Sequence, residues 1–198
     1  DSTFVEDTAL IVTNRGAILT RPGAASRAGE VEAIRDSITA WYPTPAQIIA
    51  PGTLDAGDVC EANGHVFIGL SHRTNEEGAR QLAEWLSTLG ISAATIDIRN
   101  VPGILHLKSG VTAVDGHQLL AISALAQHEA FSGYDVLVVP DGEEYAANCI
   151  RVNGVLFVAD GYPETHRMLR DAGFALRVLD MSEFARMDGG LSCLSLRS

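Results

Sequence analysis

The chain has 198 residues, 46% of them hydrophobic, enough to bury one sizeable core, and residues 1–198 are read as a single domain. Its longest apolar runs, such as Val136 to Val139, fall far short of a membrane span, and the net charge of −11 repels phosphate backbones without a basic, aromatic-laced cluster to offset it. Neither a membrane nor a nucleic acid is expected as a partner, while the acidic surplus suits either a cationic small molecule or plain solubility. Three cysteines (Cys60, Cys149 and Cys193) are too few and too odd in number for a disulfide framework, which points to a reducing, cytoplasmic compartment.

In chain order, one unit recurs: an apolar strand, a tight turn, a second strand, a helix and a third strand. The first unit runs through a strand over 8–13, the turn Asn14-Arg15-Gly16, and a strand over 17–20. A helix over 28–41 and a strand over 47–49 complete it. The second pairs 58–62 with 65–70 across Asn63-Gly64, a two-residue hairpin signal. Ala79, Leu82, Ala83, Leu86 and Leu89 then fall at helical spacing over 76–89, with Thr74 and Glu77 as a capping box and Gly90 as the stop, before a strand over 94–98. The third pairs 110–114 with 118–123 across Asp115-Gly116, has a short helix before Ser132-Gly133, and ends in a strand over 135–139. The fourth pairs 149–152 with 155–159 across Asn153-Gly154, then places a helix over 163–172 and a strand over 175–179.

The turn glycines Gly16, Gly64, Gly116 and Gly154 recur 48, 52 and 38 residues apart, a spacing that signals radial or stacked repetition. Such units set round an axis close a ring without free sheet edges. An α/β propeller is therefore predicted, with residues 1–7 and 189–197 belonging to a further unit closed by the two chain ends. An α+β sandwich with similar hairpins is the alternative.

In a ring, the positions just ahead of each first strand converge on the axis. Those positions hold Glu6 and Asp7, Asp55 and Asp58, His106, Asn148, and Cys193. A thiol attacks as its thiolate, which nearby positive charge or histidine stabilises, and a histidine can return a proton to a leaving group. Cys193 and His106 suit those roles, and Gly189-Gly190 suggests close approach of backbone to ligand. Crowded carboxylates at Asp7 and Asp55 need a cation, and a planar guanidinium with paired N–H donors supplies one. Cys60 and Cys149 read as core, and His65, His72, His117, His128 and His166 as surface groups. No Cys/His spacing fits zinc, and Gly52-Thr53-Leu54-Asp55-Ala56-Gly57-Asp58 lacks the Lys and Ser/Thr of a phosphate loop. Neither a metal nor a cofactor is expected.

These residues sit in segments that resemble the dimethylarginine dimethylaminohydrolases, guanidine-modifying enzymes of the pentein fold. The resemblance runs in order over nearly the whole chain, through Phe4-Val5-Glu6-Asp7, Thr20-Arg21-Pro22-Gly23-Ala24, Leu54-Asp55-Ala56-Gly57-Asp58 and Gly69-Leu70-Ser71-His72-Arg73-Thr74-Asn75. It continues through Leu105-His106-Leu107-Lys108-Ser109, Ala146-Ala147-Asn148-Cys149-Ile150 and Asp188-Gly189-Gly190-Leu191-Ser192-Cys193.

It implies a five-fold pseudo-symmetric α/β propeller of ββαβ modules, with the N-terminal module incomplete in this chain and further sequence upstream of Asp1. It also implies hydrolysis of asymmetrically dimethylated or monomethylated L-arginine to L-citrulline through a covalent thiouronium on Cys193. His106 would protonate the departing amine and then activate water, while Asp55 and Asp7 would hold the guanidinium nitrogens with Glu6 beside them. Arg27 and Arg73 would grip the substrate carboxylate, and Asp1, Asp188 and the Met187 backbone the amino group. A homodimer is compatible with this reading. An arginine deiminase or amidinotransferase of the same fold, and a non-catalytic pentein acting as a binding protein, remain as rivals.

Overall fold

The computed structural model describes residues 4–12 and 15–197. Four three-stranded sheets follow one another along the chain, and each joins an antiparallel hairpin to a third strand that runs parallel to the hairpin's second strand. They are β1 (Ala9–Val12), β2 (Gly16–Leu19) and β3 (Ala46–Gln47); β4 (Val59–Ala62), β5 (His65–Leu70) and β6 (Ser92–Asp97); β7 (Val111–Ala113), β8 (Gln118–Ala121) and β9 (Asp135–Val138); and β10 (Ile150–Val152), β11 (Val155–Ala159) and β12 (Ala175–Leu179).

A parallel return needs a crossover, and three sheets use a helix for it: α1 (Glu30–Trp41), α2 (Glu76–Thr88) and α3 (Pro163–Asp171). The third sheet makes its crossover with only a 3-10 turn at Glu129–Phe131, where a short helix is predicted. Ser132-Gly133 follows at once, and this segment anchors itself by burying Leu125 and Phe131 instead of presenting a helical face.

The turn chemistry is mostly as expected. Asn63 and Gly64 (φ 52° and 73°) and Asn153 and Gly154 (φ 51° and 82°) take the left-handed geometry of a two-residue hairpin. Asp115-Gly116 departs from it: the connection is longer, and Asp115 Oδ1 folds back to accept from the amides of His117 and Gln118. The start of α2 also differs. Asn75 caps it by accepting from Gly78 N, while Thr74 turns inward to Asp58, so the Thr74/Glu77 capping box does not form. On α2 the predicted face holds, with Ala79, Leu82 and Leu86 buried and Ala83 and Leu89 packed beside them. The turn residue Asn14 lies outside the described residues.

A large core made by the second, third and fourth sheets includes Phe67, Leu107, Leu120, Phe131 and Leu156, and a smaller one between the first two units centres on Leu54, Ile68, Leu82 and Leu86. Burying each of these side chains contributes roughly 1.5–3 kcal/mol. Among the described residues, no helix is long and apolar enough to cross a membrane.

What positions the site is a set of five 3-10 turns. Four of them, Val5–Thr8, Ala56–Asp58, Leu107–Ser109 and Glu144–Ala147, each precede the first strand of a sheet, and a fifth, Ser192–Leu194, follows the last sheet. The first turn touches the second and the fifth, the second touches the third, and the third touches the fourth. Asn148, at the end of the fourth, hydrogen-bonds Ser192 in the fifth, which completes the cycle of contacts.

Candidate active site

The residues singled out at the heads of the units meet where these turns meet. Asp55 is fully buried, and its Oδ2 lies 3.0 Å from His106 Nε2 while its Oδ1 accepts from Gly23 N at 2.8 Å. Asp7 approaches the same imidazole nitrogen, with Oδ1 4.0 Å from His106 Nε2 and 2.8 Å from Gly57 N. Gly57 is what lets these groups approach. A Cβ there would sit 2.8 Å from Asp7 Oδ1 and 2.9 Å from His106 Cγ, so any larger residue would push the carboxylate and the ring apart. Asp58 serves the scaffold: its carboxylate accepts from Leu107 N at 3.0 Å, Ser71 Oγ at 2.6 Å and Thr74 Oγ1 at 2.7 Å, pinning the residue after His106 to the loop ahead of α2.

Electrostatics follows from this crowding. Burial by itself lowers the basicity of His106, but the Asp55 hydrogen bond and the charges of Asp7, Asp58 and Asp55 outweigh it and raise the imidazole to about 9. It is an imidazolium at neutral pH. Burial would raise Asp55, yet its pairing with His106 and its bond from Gly23 hold it below the usual carboxylate range. Burial pushes Asp58 up to about 6 against its hydroxyl and amide donors.

Cys193 is half-buried, and its Sγ accepts from Gly190 N at 3.4 Å. Burial and the nearby Glu6 carboxylate raise its thiol above the ordinary value, with Asp7 adding to the effect and Gly190 N–H and Lys108 opposing it. The thiolate expected beside positive charge is therefore a neutral thiol in this state. No hydrogen bond joins Cys193 to His106 among the described residues, because the imidazole is turned to Asp55.

Glu6 is buried against the same turn: its Oε1 faces Lys108 Nζ at 2.5 Å and its Oε2 accepts from Ser192 Oγ at 2.9 Å. A cavity of about 270 Å³, lined by Cys60, Thr112 and Cys149, opens behind that ion pair. Both thiols are buried, in line with their reading as core. His166, expected at the surface, is instead buried with Nε2 2.8 Å from Ala159 O, because the inner face of α3 needs a side chain that can satisfy that carbonyl.

The remaining predicted residues are spread more widely. Arg27 is buried, with Nη1 2.6 Å from Asp7 Oδ2, Nη2 2.7 Å from both Phe4 O and Glu30 Oε2, and Nε bonded to Glu30, so it braces Asp7 with most of its donors occupied. The Arg73 side chain has no ion-pair partner among the described residues, and its backbone packs so closely on Gly23 that a Cβ there would lie 2.2 Å from Arg73 O. Met187 and Asp188 are exposed, and Asp188 takes φ 58°. Asp188 lines a cleft of about 460 Å³ with Leu105, Tyr145, Asn148 and Gly190. Asp1 lies outside the described residues.

Sequence reasoning passed over Lys108, Ser192 and Gly57 as functional groups, although all three lie inside the segments it singled out. Lys108, two residues beyond His106, had a signal only in its position.

One donor atom each from Asp7, Asp55 and His106 lies within 4.8 Å of the others, the spacing of a metal-ligand trio. Asp7, however, is already shared between Arg27 and Gly57, and Asp55 between His106 and Gly23. Two neighbouring carboxylates also suit a flat cation bearing paired N–H donors.

No family model matches the chain. It is 42% identical over 198 residues to an N(G),N(G)-dimethylarginine dimethylaminohydrolase of Pseudomonas aeruginosa, covering 100% of this chain and 76% of the relative. A protein of the same name from Streptomyces coelicolor is 34% identical over 199 residues, covering 100% of this chain and 74% of the relative. A solved structure of the Pseudomonas aeruginosa enzyme, a cysteine-to-serine mutant complexed with citrulline, superposes with a TM-score of 0.94 at 40% identity, over 100% of this chain and 76% of that one. With its site geometry and these relatives agreeing, the chain belongs to the dimethylarginine dimethylaminohydrolase family.

Proposed function

We propose that the protein hydrolyses asymmetrically dimethylated or monomethylated L-arginine to L-citrulline, as a single domain whose turns form the hub of a five-unit α/β propeller. The observation that carries this reading is the buried His106 imidazolium paired with Asp55 and close to Asp7, whose turn packs against the one that bears Cys193. In it, Asp55 and Asp7 accept N–H bonds from the guanidinium, and Glu6 adds negative charge. The substrate's α-carboxylate goes to Arg73 and to the remaining N–H of Arg27, and its amino group to Asp188, the Met187 carbonyl and Asp1.

The guanidinium brings a positive charge to a thiol that carboxylates have kept neutral, so binding itself favours thiolate formation, the thiol proton passing to bulk water. The sulfur then bonds to the guanidinium carbon. His106 delivers its proton to the methylated nitrogen, the C–N bond breaks and dimethylamine or methylamine leaves, giving a thiouronium. His106, now neutral, takes a proton from water; the resulting hydroxide adds to the same carbon, the C–S bond breaks, and citrulline leaves with the thiol restored. No cofactor enters this scheme. We place the protein in the cytoplasm as a homodimer in this reading, the second point being open to sedimentation.

The test is citrulline release from asymmetric dimethylarginine, methylarginine and arginine, with Cys193→Ser alongside. Turnover of the methylated substrates that vanishes in the variant supports the proposal. Turnover of arginine alone would move the protein to the deiminases, and none at all to a binding role.

A further inference from the structure

We infer that Asn148 is a positioning residue for the reaction: its carboxamide ties the turn carrying Cys193 to the backbone just beyond His106 and seats Gly190 against the thiol. The inference rests on the reading of Cys193 as nucleophile and deepens it. Asn148 ends the 3-10 turn Glu144–Ala147 and is only 5% exposed. Nothing on its side chain is idle. Nδ2 donates to Lys108 O and to Ser192 Oγ, each at 3.1 Å, and Oδ1 accepts from Ser192 N at 2.9 Å. Lys108 lies two residues after His106, and Ser192 one residue before Cys193. One amide therefore spans from the acid/base side of the site to the nucleophile side.

The link continues on both flanks. Ser192 Oγ donates to Glu6 Oε2, and Glu6 Oε1 faces Lys108 Nζ, so groups from four turns form one ring of polar contacts that closes through the Lys108 carbonyl. Packing makes the link stiff. A Cβ on Gly190 would lie 2.4 Å from Asn148 Cγ, so only glycine lets this turn rest on the face of the carboxamide. The same Gly190 directs its N–H at Cys193 Sγ, a contact that favours the charged form of the sulfur. Displacing the Asn148 side chain thus does two things: it frees the sulfur from its register with His106, and it loosens the N–H that faces it.

Asn148→Ala, Asn148→Asp and Ser192→Ala are compared with the parent protein in citrulline release from asymmetric dimethylarginine. Alkylation of Cys193 by iodoacetamide, from about pH 6 to about pH 11, and the melting temperature are read alongside. The expected result is a fall in kcat of about tenfold or more with KM within about threefold, since sulfur placement matters to the transition state and little to binding. The alkylation midpoint of Asn148→Asp moves up by about one pH unit, and that of Ser192→Ala moves the same way by less.

Lost stability alone lowers a melting temperature without moving that midpoint. Ser192→Ala removes a single hydroxyl and adds no charge, so the test depends neither on the fold of Asn148→Ala nor on the charge that Asn148→Asp introduces. Folded variants that keep kcat within about twofold, or that lower the melting temperature and leave the midpoint in place, overturn the inference. Failure of the underlying reading looks different: the parent would release no citrulline, or Cys193→Ser would retain turnover, while the alkylation comparison would still report on Asn148.

Discussion

Cys193 and His106 are set, before substrate arrives, in protonation states opposite to those of a ready thiolate and base. Burial and Glu6 hold the thiol above its ordinary value, and the surrounding carboxylates keep the imidazole protonated up to about 9. The free protein should therefore alkylate slowly at Cys193 near neutral pH and accelerate only as pH rises above the ordinary thiol range. A small guanidinium ion too short to cover the sulfur should bring that rise to lower pH by pairing with Asp7 and Asp55. Mass-spectrometric alkylation rates with and without it decide the matter, and a fast, pH-insensitive reaction of the free thiol would contradict the electrostatic picture. At this scale, residue type and position showed which side chains gather: a thiol, an imidazole and carboxylates at matching places in the units. Their charge states were not legible. Those depend on Glu6, Lys108 and Asp58 packing within one buried space, and no spacing in a single sequence expresses a desolvation cost. Arg27 illustrates the same limit, since its pairing with Asp7 across 20 residues is visible only once the chain is folded.

The elements that carry the site are short, and polar side chains, more than propensity, fix their ends. Asp58 is the clearest case, for it receives two hydroxyls and one amide from two separate loops. Ser71 has no spare acceptor position to offer in exchange, since its Oγ already accepts from the amides of Arg73 and Thr74, and Thr74 Oγ1 accepts from that of Asp55. Replacing one carboxylate oxygen by an amide in Asp58→Asn leaves at least one donor facing another. The expected cost is about 1–3 kcal/mol. In a chain of this size, each kcal/mol lowers Tm by roughly 2–4 °C. Differential scanning calorimetry near pH 8, where Asp58 is ionised, reads this, and an unchanged Tm would mean that the buried carboxyl is protonated in the fold and already donates. The periodic face of α2 and the Asn-Gly hairpins were legible because each is a local pattern repeated within a few residues. The capping box was misread because Thr74 satisfies Asp58, which is 16 residues away, in preference to its own helix. The third crossover was misread because a segment that buries Leu125 and Phe131 has no need of a regular helix.

At the scale of the whole molecule, the two ends of the chain interlock. Ser192 bonds Glu6, Leu196 packs on the core of the first unit, and Phe4 lies against Gly189, so the site is complete only when the last turn has closed on the first. Its charges are therefore coupled to global folding, and the pH dependence of stability should show it. His106 is raised from 6.5 to about 9 in the fold. A raised group contributes stability that is fully present below its unfolded value and is lost as pH rises through its folded one, so the His106 contribution disappears between about 6.5 and about 9. For an almost fully buried imidazole that shift corresponds to about 3 kcal/mol. Cys193, also raised, adds a further loss that begins only above the ordinary thiol value, whereas Asp55, lowered, contributes stability that is lost as pH falls below the ordinary carboxylate range. Urea unfolding of the parent should thus weaken steadily from neutral pH to about pH 9, and His106→Gln, which keeps a polar ring-sized side chain without a titrating group, should be flat over that interval. If the variant shows the parent's decline, the imidazolium is not what the carboxylates are holding, and the positive charge that balances the centre of the molecule must be assigned to Arg27 and Lys108 instead.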